Sequence, residues 1–296
     1  MNHFLEISQL TTSHIERLLK RAMLFKQTGN YPNFSSYKLA NLFYENSTRT
    51  RVSFELAANH LSIYSVNLAL AASSEAKGEI IEDTIHTLAA MGIDLFVIRH
   101  KQEGIQQHLA EHINSNIHII NAGDGKHAHP SQAMLDLMTI MEYKPNLEQL
   151  KIAIVGDLRH SRVANSLQCL FALMSVKELV LVAPSMWQPS QVHYGRVTNS
   201  LKDGLAEADV VICLRIQNER LTEDESIDLD VYRANYAITS QALCNAKNDV
   251  MVMHPGPINR GVEIESDVAD GPHSAILHQV ANGVFMRMAI IESLLI

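Results

Sequence analysis

Residues 38–61 read KLANLFYENSTRTRVSFELAANHL, and this stretch decides how the first part of the chain folds. An apolar run over 38–44 predicts a strand, the polar residues 46–51 predict a tight loop, and the pattern over 52–61 predicts a helix. Backbone N–H groups at a helix N-terminus lack intrahelical partners, and the helix dipole adds positive potential there. The hydroxyls and guanidiniums of the loop add further donors. The loop therefore suits a phosphate, although Ser and Thr also cap helices routinely.

The same alternation of strand and helix continues along the chain. Short runs rich in Val, Ile and Leu are typical of strands buried on both faces of a parallel sheet. The predicted strands cover 38–44, 64–70, 94–99, 117–121, 151–156, 179–183, 210–214 and 250–253, and the predicted helices between them cover 52–61, 80–91, 105–112, 132–141 and 163–174. This order predicts α/β architecture with right-handed crossovers.

The chain is long enough for two domains. With 296 residues it exceeds the usual size of one core, and Pro145 predicts the end of a helix before a fresh βα series begins at 151. Residues 274–296 have helical apolar spacing. We expect two three-layer α/β/α domains, each with a mainly parallel sheet, bridged by long helices that include the C-terminal one. The predicted domains are residues 1–143 plus 274–296, and residues 144–273.

Composition excludes several classes of protein. The formal net charge of −8 argues against nucleic-acid binding, so any basic site must be local. Three cysteines without a CxxC pair indicate reduced thiols in a cytoplasmic protein. No run approaches the length of a membrane span, and the N-terminus lacks the pattern of a signal peptide. The sequence contains no zinc pattern and no dinucleotide fingerprint, so we expect neither a metal nor a cofactor.

Polar segments follow most of the predicted strands. Besides the loop at 46–51, they cover residues 73–79, 97–100, 121–132, 156–162, 214–217 and 254–257. The carboxyl ends of parallel strands share one edge of a sheet, where ligands bind. Segments of the first half offer donors to a phosphate and a carbonyl, whereas Arg162 and Arg215 suit carboxylates. These features predict a site between the domains for a phosphorylated compound and a dicarboxylate or amino acid. Taken singly, each segment could also be an ordinary cap, turn or surface loop.

Together the motifs resemble the aspartate/ornithine carbamoyltransferase family, and in particular its aspartate-specific catalytic chains, over nearly the whole sequence. The segments that carry the resemblance are Ser47-Thr48-Arg49-Thr50-Arg51, Lys77-Gly78-Glu79, Arg99-His100, His129-Pro130-x-Gln132, Gly156-Asp157 with Arg162, Arg215-x-Gln217 and His254-Pro255-x-Pro257. At Gly256 this chain departs from relatives that carry Leu. We expect little effect, because the contact implied there is made by the main chain.

The resemblance implies transfer of a carbamoyl group from carbamoyl phosphate to L-aspartate, a step of pyrimidine synthesis. It implies that carbamoyl phosphate is bound by Ser47, Thr48, Arg49, Thr50, Arg99, His129, Gln132 and Ser73, with Gln132 at the carbamoyl nitrogen. The aspartate side is implied to consist of Lys77, Arg162, Arg215, Gln217, Gly256 and Pro257. The catalytic residues are implied to be Arg49, Thr50, Arg99, His129 and Lys77. Arg51 is expected to be structural.

The resemblance further implies a homotrimer with shared active sites, in which Ser73 and Lys77 reach in from a neighbouring subunit. Regulatory chains or a dihydroorotase-like partner remain open, and individual contacts of residues 221–230 are not assigned. One alternative is a carbamoyltransferase that acts on ornithine. That branch typically has a cysteine in the turn that here reads His254-Pro255-Gly256-Pro257. A second alternative is a non-catalytic anion-binding subunit, which would lack some family residues, whereas all of them are present.

Overall fold

The computed structural model describes residues 1–68, 78–113, 116–217, 225 and 227–296. These residues form two compact units. The first unit contains residues 1–138 and 281–296, and the second contains residues 139–280. The chain therefore leaves the first unit once and returns to it once.

The first unit is built on a four-stranded sheet. Its strands are β1 (Lys38–Phe43), β2 (Tyr64–Asn67), β3 (Leu95–His100) and β4 (His118–Asp124), and its helices are α1 (Thr12–Thr28), α2 (Thr48–His60), α3 (Ile81–Ala90) and α4 (Ile105–His112). All strand pairs are parallel, in the order β2-β1-β3-β4. Helix α5 (Pro130–Tyr143) begins in this unit and ends in the second.

The second unit is built on a five-stranded sheet. Its strands are β5 (Lys151–Val155), β6 (Glu178–Val182), β7 (Arg196–Thr198), β8 (Val210–Cys213) and β9 (Met251–Met253). They are parallel, in the order β7-β6-β5-β8-β9. The helices are α6 (Arg162–Leu173), α7 (Leu201–Leu205), α8 (Leu229–Tyr236), α9 (Ser240–Leu243) and α10 (Ser266–Ala269), and α11 (Ile276–Leu295) begins here and ends in the first unit.

The central strands are buried on both faces. Residues 95–98 of β3 and residues 152–155 of β5 have no exposed surface, although side chains on a strand alternate between the two faces. Burial of every residue therefore means that each sheet is covered on both sides. The predicted α/β class, with two domains that each contain a parallel sheet, is confirmed, and the predicted C-terminal helix is present.

Strand order creates a topological switch point in each sheet. In the first unit, the chain passes from β1 outward to β2 and then crosses to β3 on the other side of β1. In the second unit, β5 leads outward through β6 and β7, and the chain then crosses to β8 on the other side of β5. Crevices form at the carboxyl ends of the strands where the direction reverses, and ligands of open α/β sheets bind there.

Helix boundaries differ from prediction most at α2. The sequence predicts a loop over 46–51, but Thr48 to Arg51 form the first turn of the helix. Helix starts accept polar residues because their N–H groups need outside partners, so a polar first turn resembles a loop. Helix α1 was not predicted; Thr11 caps its N-terminus and Gly29, in the left-handed region at φ 61°, ends it. Within the described residues, no helix combines the length and apolarity that a membrane crossing requires.

Candidate active site

The N-terminus of α2 lies directly after β1, at the switch point of the first sheet. Ser47 is the N-cap residue, with extended backbone at φ −159° and ψ 99°, and its side chain makes no capping hydrogen bond. An N-cap serine normally accepts from the N–H groups of the first turn. Here the hydroxyl is not used in that way, so the helix leaves both its own N–H groups and a hydroxyl for an anion.

The next three residues differ in exposure. Thr48 and Arg49 are exposed, whereas Thr50 is 6% exposed. A mobile ligand can reach the exposed pair directly, while the buried threonine is fixed in position by its surroundings. Arg51 is exposed on the same helix turn. The sequence motif therefore becomes a helix start with several donors, as an anion site requires.

Arg99 lies at the end of β3, beside the end of β1. The register pairs Phe43 with Arg99, and the N–H of Tyr44 donates to the backbone oxygen of Arg99 at 2.9 Å. The Arg99 side chain forms an ion pair with Glu45, with 3.2 Å between Nε and Oε2. Both side chains are largely buried, at 16% and 21% exposure. An anion that binds Arg99 would compete with the Glu45 carboxylate for its guanidinium.

His129 and Gln132 lie at the start of α5, after the turn that follows β4. In that turn, the N–H of Asp124 donates to the backbone oxygen of Ala128 at 2.9 Å, which closes the loop. His129 is 4% exposed and Gln132 is 8% exposed. The Gln132 amide nitrogen Nε2 donates to Asp136 Oδ1 at 2.8 Å, one helical turn further along. Both predicted carbamoyl-binding side chains are therefore buried, and that of Gln132 is held by Asp136.

The second group of predicted residues lies at the switch point of the second sheet. Arg162 is the first residue of α6, after β5, and is 6% exposed. Arg215 follows β8 and is half-buried, with Nη1 donating to the backbone oxygen of Ile216 at 3.2 Å. Gln217 donates from Nε2 to the backbone oxygen of His160 at 2.8 Å, so the segment after β8 is tied to the segment after β5. These contacts place both arginines at the carboxyl edge of one sheet.

Buried carboxylates support this edge. Asp157, which has no exposed surface, contacts Nδ1 of His160 at 2.9 Å, and its other oxygen accepts from the N–H of Gln217 at 3.4 Å. Nε2 of His160 lies 3.4 Å from Glu225, whose Oε1 is also 3.4 Å from Nε of Arg159. One aspartate thus connects the ends of two neighbouring strands.

The turn after β9 is held by a histidine. The N–H of Gly256 donates to Nδ1 of His254 at 2.8 Å, and Nε2 of His254 lies 3.1 Å from the buried carboxylate of Glu263. Because Nδ1 accepts a hydrogen bond, the ring proton lies on Nε2 and faces Glu263. The peptide between Gly256 and Pro257 is cis, and Gly256 has φ 70°. The contacts of His254 therefore fix the start of this turn.

Some predicted residues lie outside the described part of the chain. Ser73 and Lys77 belong to this group, as do residues 221–224 and 226 of the segment 221–230. Within the described residues, no group of three or more His, Cys, Asp or Glu side chains is arranged to hold a metal ion.

Sequence reasoning missed the carboxylates that contact the predicted residues. Glu45 contacts Arg99, Asp136 contacts Gln132, and Glu263 contacts His254. The spacing of Gln132 and Asp136 by four residues on a helix was a usable signal. Glu45 was also adjacent to the polar loop, but its partner is far away in sequence, and only the register of β1 with β3 brings the two together.

Comparison with known proteins matches both halves of the chain to one protein family. Residues 2–142 match the family model described as aspartate/ornithine carbamoyltransferase, carbamoyl-P binding domain, and residues 148–294 match the Asp/Orn binding domain. The aspartate carbamoyltransferase catalytic subunit of Legionella pneumophila (strain Corby) is 64% identical over 295 residues, which cover 100% of this chain and 99% of that protein.

Solved structures share the fold over the full length. Aspartate transcarbamoylase from Trypanosoma cruzi, in complex with carbamoyl aspartate and phosphate, is similar with a TM-score of 0.88 at 30% identity, over 99% of this chain and 95% of that one. Ornithine carbamoyltransferase from Pyrococcus furiosus has a TM-score of 0.86 at 25% identity, over 98% and 96%. The fold is thus common to enzymes named for two different amines. From the family matches and the identity to the Legionella subunit, the chain belongs to the aspartate/ornithine carbamoyltransferase family.

Proposed function

We propose that this protein transfers the carbamoyl group of carbamoyl phosphate to the amine of L-aspartate, giving N-carbamoyl-L-aspartate and phosphate, in pyrimidine synthesis. The observation that carries the proposal is the set of side chains that lie at the two switch points. One presents donors for a phosphate and a carbonyl, and the other presents Arg162 and Arg215. We assign residues 1–143 plus 274–296 to carbamoyl phosphate binding and residues 144–273 to aspartate binding.

The phosphate is held at the start of α2. Ser47, Thr48, Arg49 and Thr50 supply hydroxyl, guanidinium and backbone donors, and Arg99 supplies a second guanidinium. A close pair of opposite charges at an effective dielectric near 20 gains about 4 kcal/mol. This gain aids binding. It accelerates the reaction only if the attraction becomes stronger in the transition state, as the leaving phosphate gains charge.

In the chemical step, the aspartate amine nitrogen attacks the carbamoyl carbon and the bond from that carbon to the phosphate oxygen breaks. Negative charge develops on the carbonyl oxygen, which Thr50, Arg99 and His129 stabilise together with Arg49. Each well-aimed donor is worth about 3 kcal/mol, and alignment of two substrates supplies about 7 kcal/mol or more. The amine proton goes to the departing phosphate, so His129 acts as a donor and needs no role as a base.

Arg162 and Arg215 favour aspartate over ornithine. An arginine fork binds a carboxylate through two parallel hydrogen bonds, and aspartate offers two carboxylates where ornithine offers one. Gln217 supports the segment that carries Arg215, and backbone groups of Gly256 and Pro257 complete the aspartate side. The turn that contains them has no cysteine, unlike the turn of the ornithine branch.

We propose a homotrimer in which Ser73 and Lys77 of one subunit complete the site of its neighbour. Three large apolar side chains support an intersubunit surface in the first unit. Val52 and Leu56 of α2 are 42% and 44% exposed, and Tyr64 of the edge strand β2 is 69% exposed. These side chains would gain by burial against another copy. The three cysteines form no disulfide, which supports a reducing compartment, and we place the protein in the cytoplasm.

The proposal is tested by carbamoylation of aspartate and of ornithine by the purified protein, with its mass measured in solution. Carbamoyl aspartate as the product, formed by a trimer, is the expected result; carbamoylation of ornithine alone would overturn the choice of substrate. Shared sites are tested with hybrids of inactive Arg49→Ala and Lys77→Ala chains. Partial activity should return in verified hybrid trimers, and none should return if each chain carries a complete site.

A further inference from the structure

Gln132 is oriented by a buried carboxylate. Its amide nitrogen Nε2 donates to Oδ1 of Asp136 at 2.8 Å, and both residues lie on α5, one turn apart. Gln132 is 8% exposed and Asp136 has no exposed surface. An ionised carboxylate accepts hydrogen bonds and donates none. Of the two ends of the amide, therefore, only the NH2 end can face Asp136.

Asp136 interacts electrostatically with a buried arginine of the C-terminal helix. Arg287 of α11 is 3% exposed, and burial lowers the pKa of its guanidinium to about 10 while the charge of Asp136 acts in the opposite direction. With a pKa of about 10, Arg287 carries its positive charge at neutral pH.

Arg287 is itself held in place. Its Nη1 donates to the backbone oxygen of Gly283 at 3.1 Å, and its guanidinium lies over the ring of Phe54, 5.0 Å from the centroid. A Cβ at Gly283 would lie 2.5 Å from the same Nη1, so glycine leaves the room that the guanidinium occupies. The guanidinium that interacts electrostatically with Asp136 therefore has a fixed position.

This arrangement decides which atom of Gln132 is left for a ligand. Because NH2 faces Asp136, the carbonyl Oε1 is the amide atom that is turned away from this carboxylate. A carbonyl oxygen accepts from the N–H of a carbamoyl group and makes no hydrogen bond with a methyl group. If the Asp136 carboxylate were absent, the Gln132 amide could rotate by 180° and present its NH2 to the ligand. An NH2 donor pairs with neither the N–H of a carbamoyl group nor a methyl group.

We propose that Asp136 and Arg287 are positioning residues that make the site select a carbamoyl group over an acyl group without N–H, by fixing the amide orientation of Gln132. This inference rests on the proposed function, since it assumes that Gln132 meets the carbamoyl nitrogen. Neither residue touches the substrate; both act through Gln132. A site built to bond an N–H loses affinity for analogues that lack it.

The test compares binding of carbamoyl phosphate and acetyl phosphate, which differ by NH2 in place of CH3. Dissociation constants of both are measured by competition with inorganic phosphate for the wild type and for Asp136→Asn, whose amide can donate as well as accept. In Asp136→Asn the preference for carbamoyl phosphate should fall about tenfold, as expected for one lost hydrogen bond. Affinity for inorganic phosphate should stay unchanged, which a general loss of structure would not allow.

Glu142→Gln is the matched control, because it neutralises the other carboxylate of the same helix, which contacts His278 and not Gln132. Should Asp136→Asn fail to fold, Asp136→Asn combined with Arg287→Met removes both buried charges and allows the same comparison. An unchanged preference in a folded variant overturns the inference. If the wild type prefers carbamoyl phosphate but carbamoylates no aspartate, the proposed function fails while the orientation of Gln132 still stands.

Discussion

Replacement of Arg49 by alanine separates catalysis from folding. Arg49 is the second residue of α2 and is exposed, so its removal opens no cavity in the core. It also takes a positive charge away from the positive end of the helix dipole, which is slightly favourable. We expect the free energy of unfolding to change by less than about 0.5 kcal/mol. For a chain of this size, that corresponds to a shift in Tm of about 2 °C or less.

The expected loss of activity is far larger. If Arg49 meets both the phosphate and the charge on the carbonyl oxygen, loss of one such donor costs about 3–4 kcal/mol, or about 100- to 1000-fold in kcat. The assay is formation of carbamoyl aspartate with both substrates saturating, beside thermal melting of the same sample. Saturation matters because a residue that only binds ground-state phosphate would change KM and leave kcat intact.

Arg51→Ala is the control for this experiment. Arg51 lies in the same first turn of α2, is equally exposed and carries the same charge. Its replacement should leave kcat within about threefold of the wild type, because scattered exposed charges contribute little. The reasoning is refuted if folded Arg49→Ala retains more than about a tenth of the wild-type kcat. It is equally refuted if Arg51→Ala loses as much activity as Arg49→Ala.

Three further changes test other parts of the structure. Gly156→Ala should lower the free energy of unfolding by about 3 kcal/mol or more, because φ is 135° and a Cβ would lie 2.4 Å from the backbone oxygen that follows β8; urea titration measures this. His127→Gln should destabilise the protein more at about pH 5.5 than at about pH 8.5, as followed by melting. The hydrogen bond that His127 donates to the Asp124 carboxylate is the main cause that raises the pKa of His127. The stabilisation from this hydrogen bond is therefore complete below the unfolded-state pKa and is lost as pH rises through the folded-state value. Arg215→Met should raise the KM for aspartate about 10- to 100-fold without weakening carbamoyl phosphate binding, as initial rates and binding will show.

Each of these has its own contrary result. Gly29→Ala is the control for Gly156→Ala, since φ is 61° but a Cβ would meet nothing within 4 Å; equal losses of stability at the two sites would reject the argument from close contact. For His127→Gln, a pH-independent difference from wild type means that the ring contributes through packing. For Arg215→Met, a normal KM for aspartate would remove this arginine from the aspartate side.

Much of the fold follows from the sequence because strands buried on both faces have continuous apolar runs. The strands that flank each switch point, β1, β3, β5 and β8, lie close to their predicted bounds. The three-residue edge strand β7 was missed, since Arg196 and Thr198 lack the apolar character of the inner strands. Helix α1 was missed despite Thr11 before it and Gly29 after it, which are the usual signals of a helix start and end.

The residues of the candidate site could be predicted where their type and their position after a strand indicate the function. The residues that contact them in the folded chain could not be predicted in this way. Ser47, Arg99 and Arg162 stand out because each lies at the end of an apolar strand or in the segment that follows one. The partners that hold them do not stand out. Arg287 is 151 positions from Asp136, and only the packing of α11 in the first unit brings their charges together. Such pairs need the tertiary structure, because sequence patterns report local periodicity and not contacts between distant segments.

The second unit is one uninterrupted stretch, residues 139–280, with both chain termini in the first unit. In genetic terms it is a cassette: two crossovers, one within α5 and one within α11, are enough to replace it. Since the fold is shared with an ornithine carbamoyltransferase, a chimera that keeps this chain's first unit and takes the cassette from such an enzyme could acquire a new amine acceptor in one recombination event. The junctions fall inside helices, so an exchange must preserve helical phase. A family arranged in this way can diversify its acceptor while the half that receives the phosphate is inherited intact.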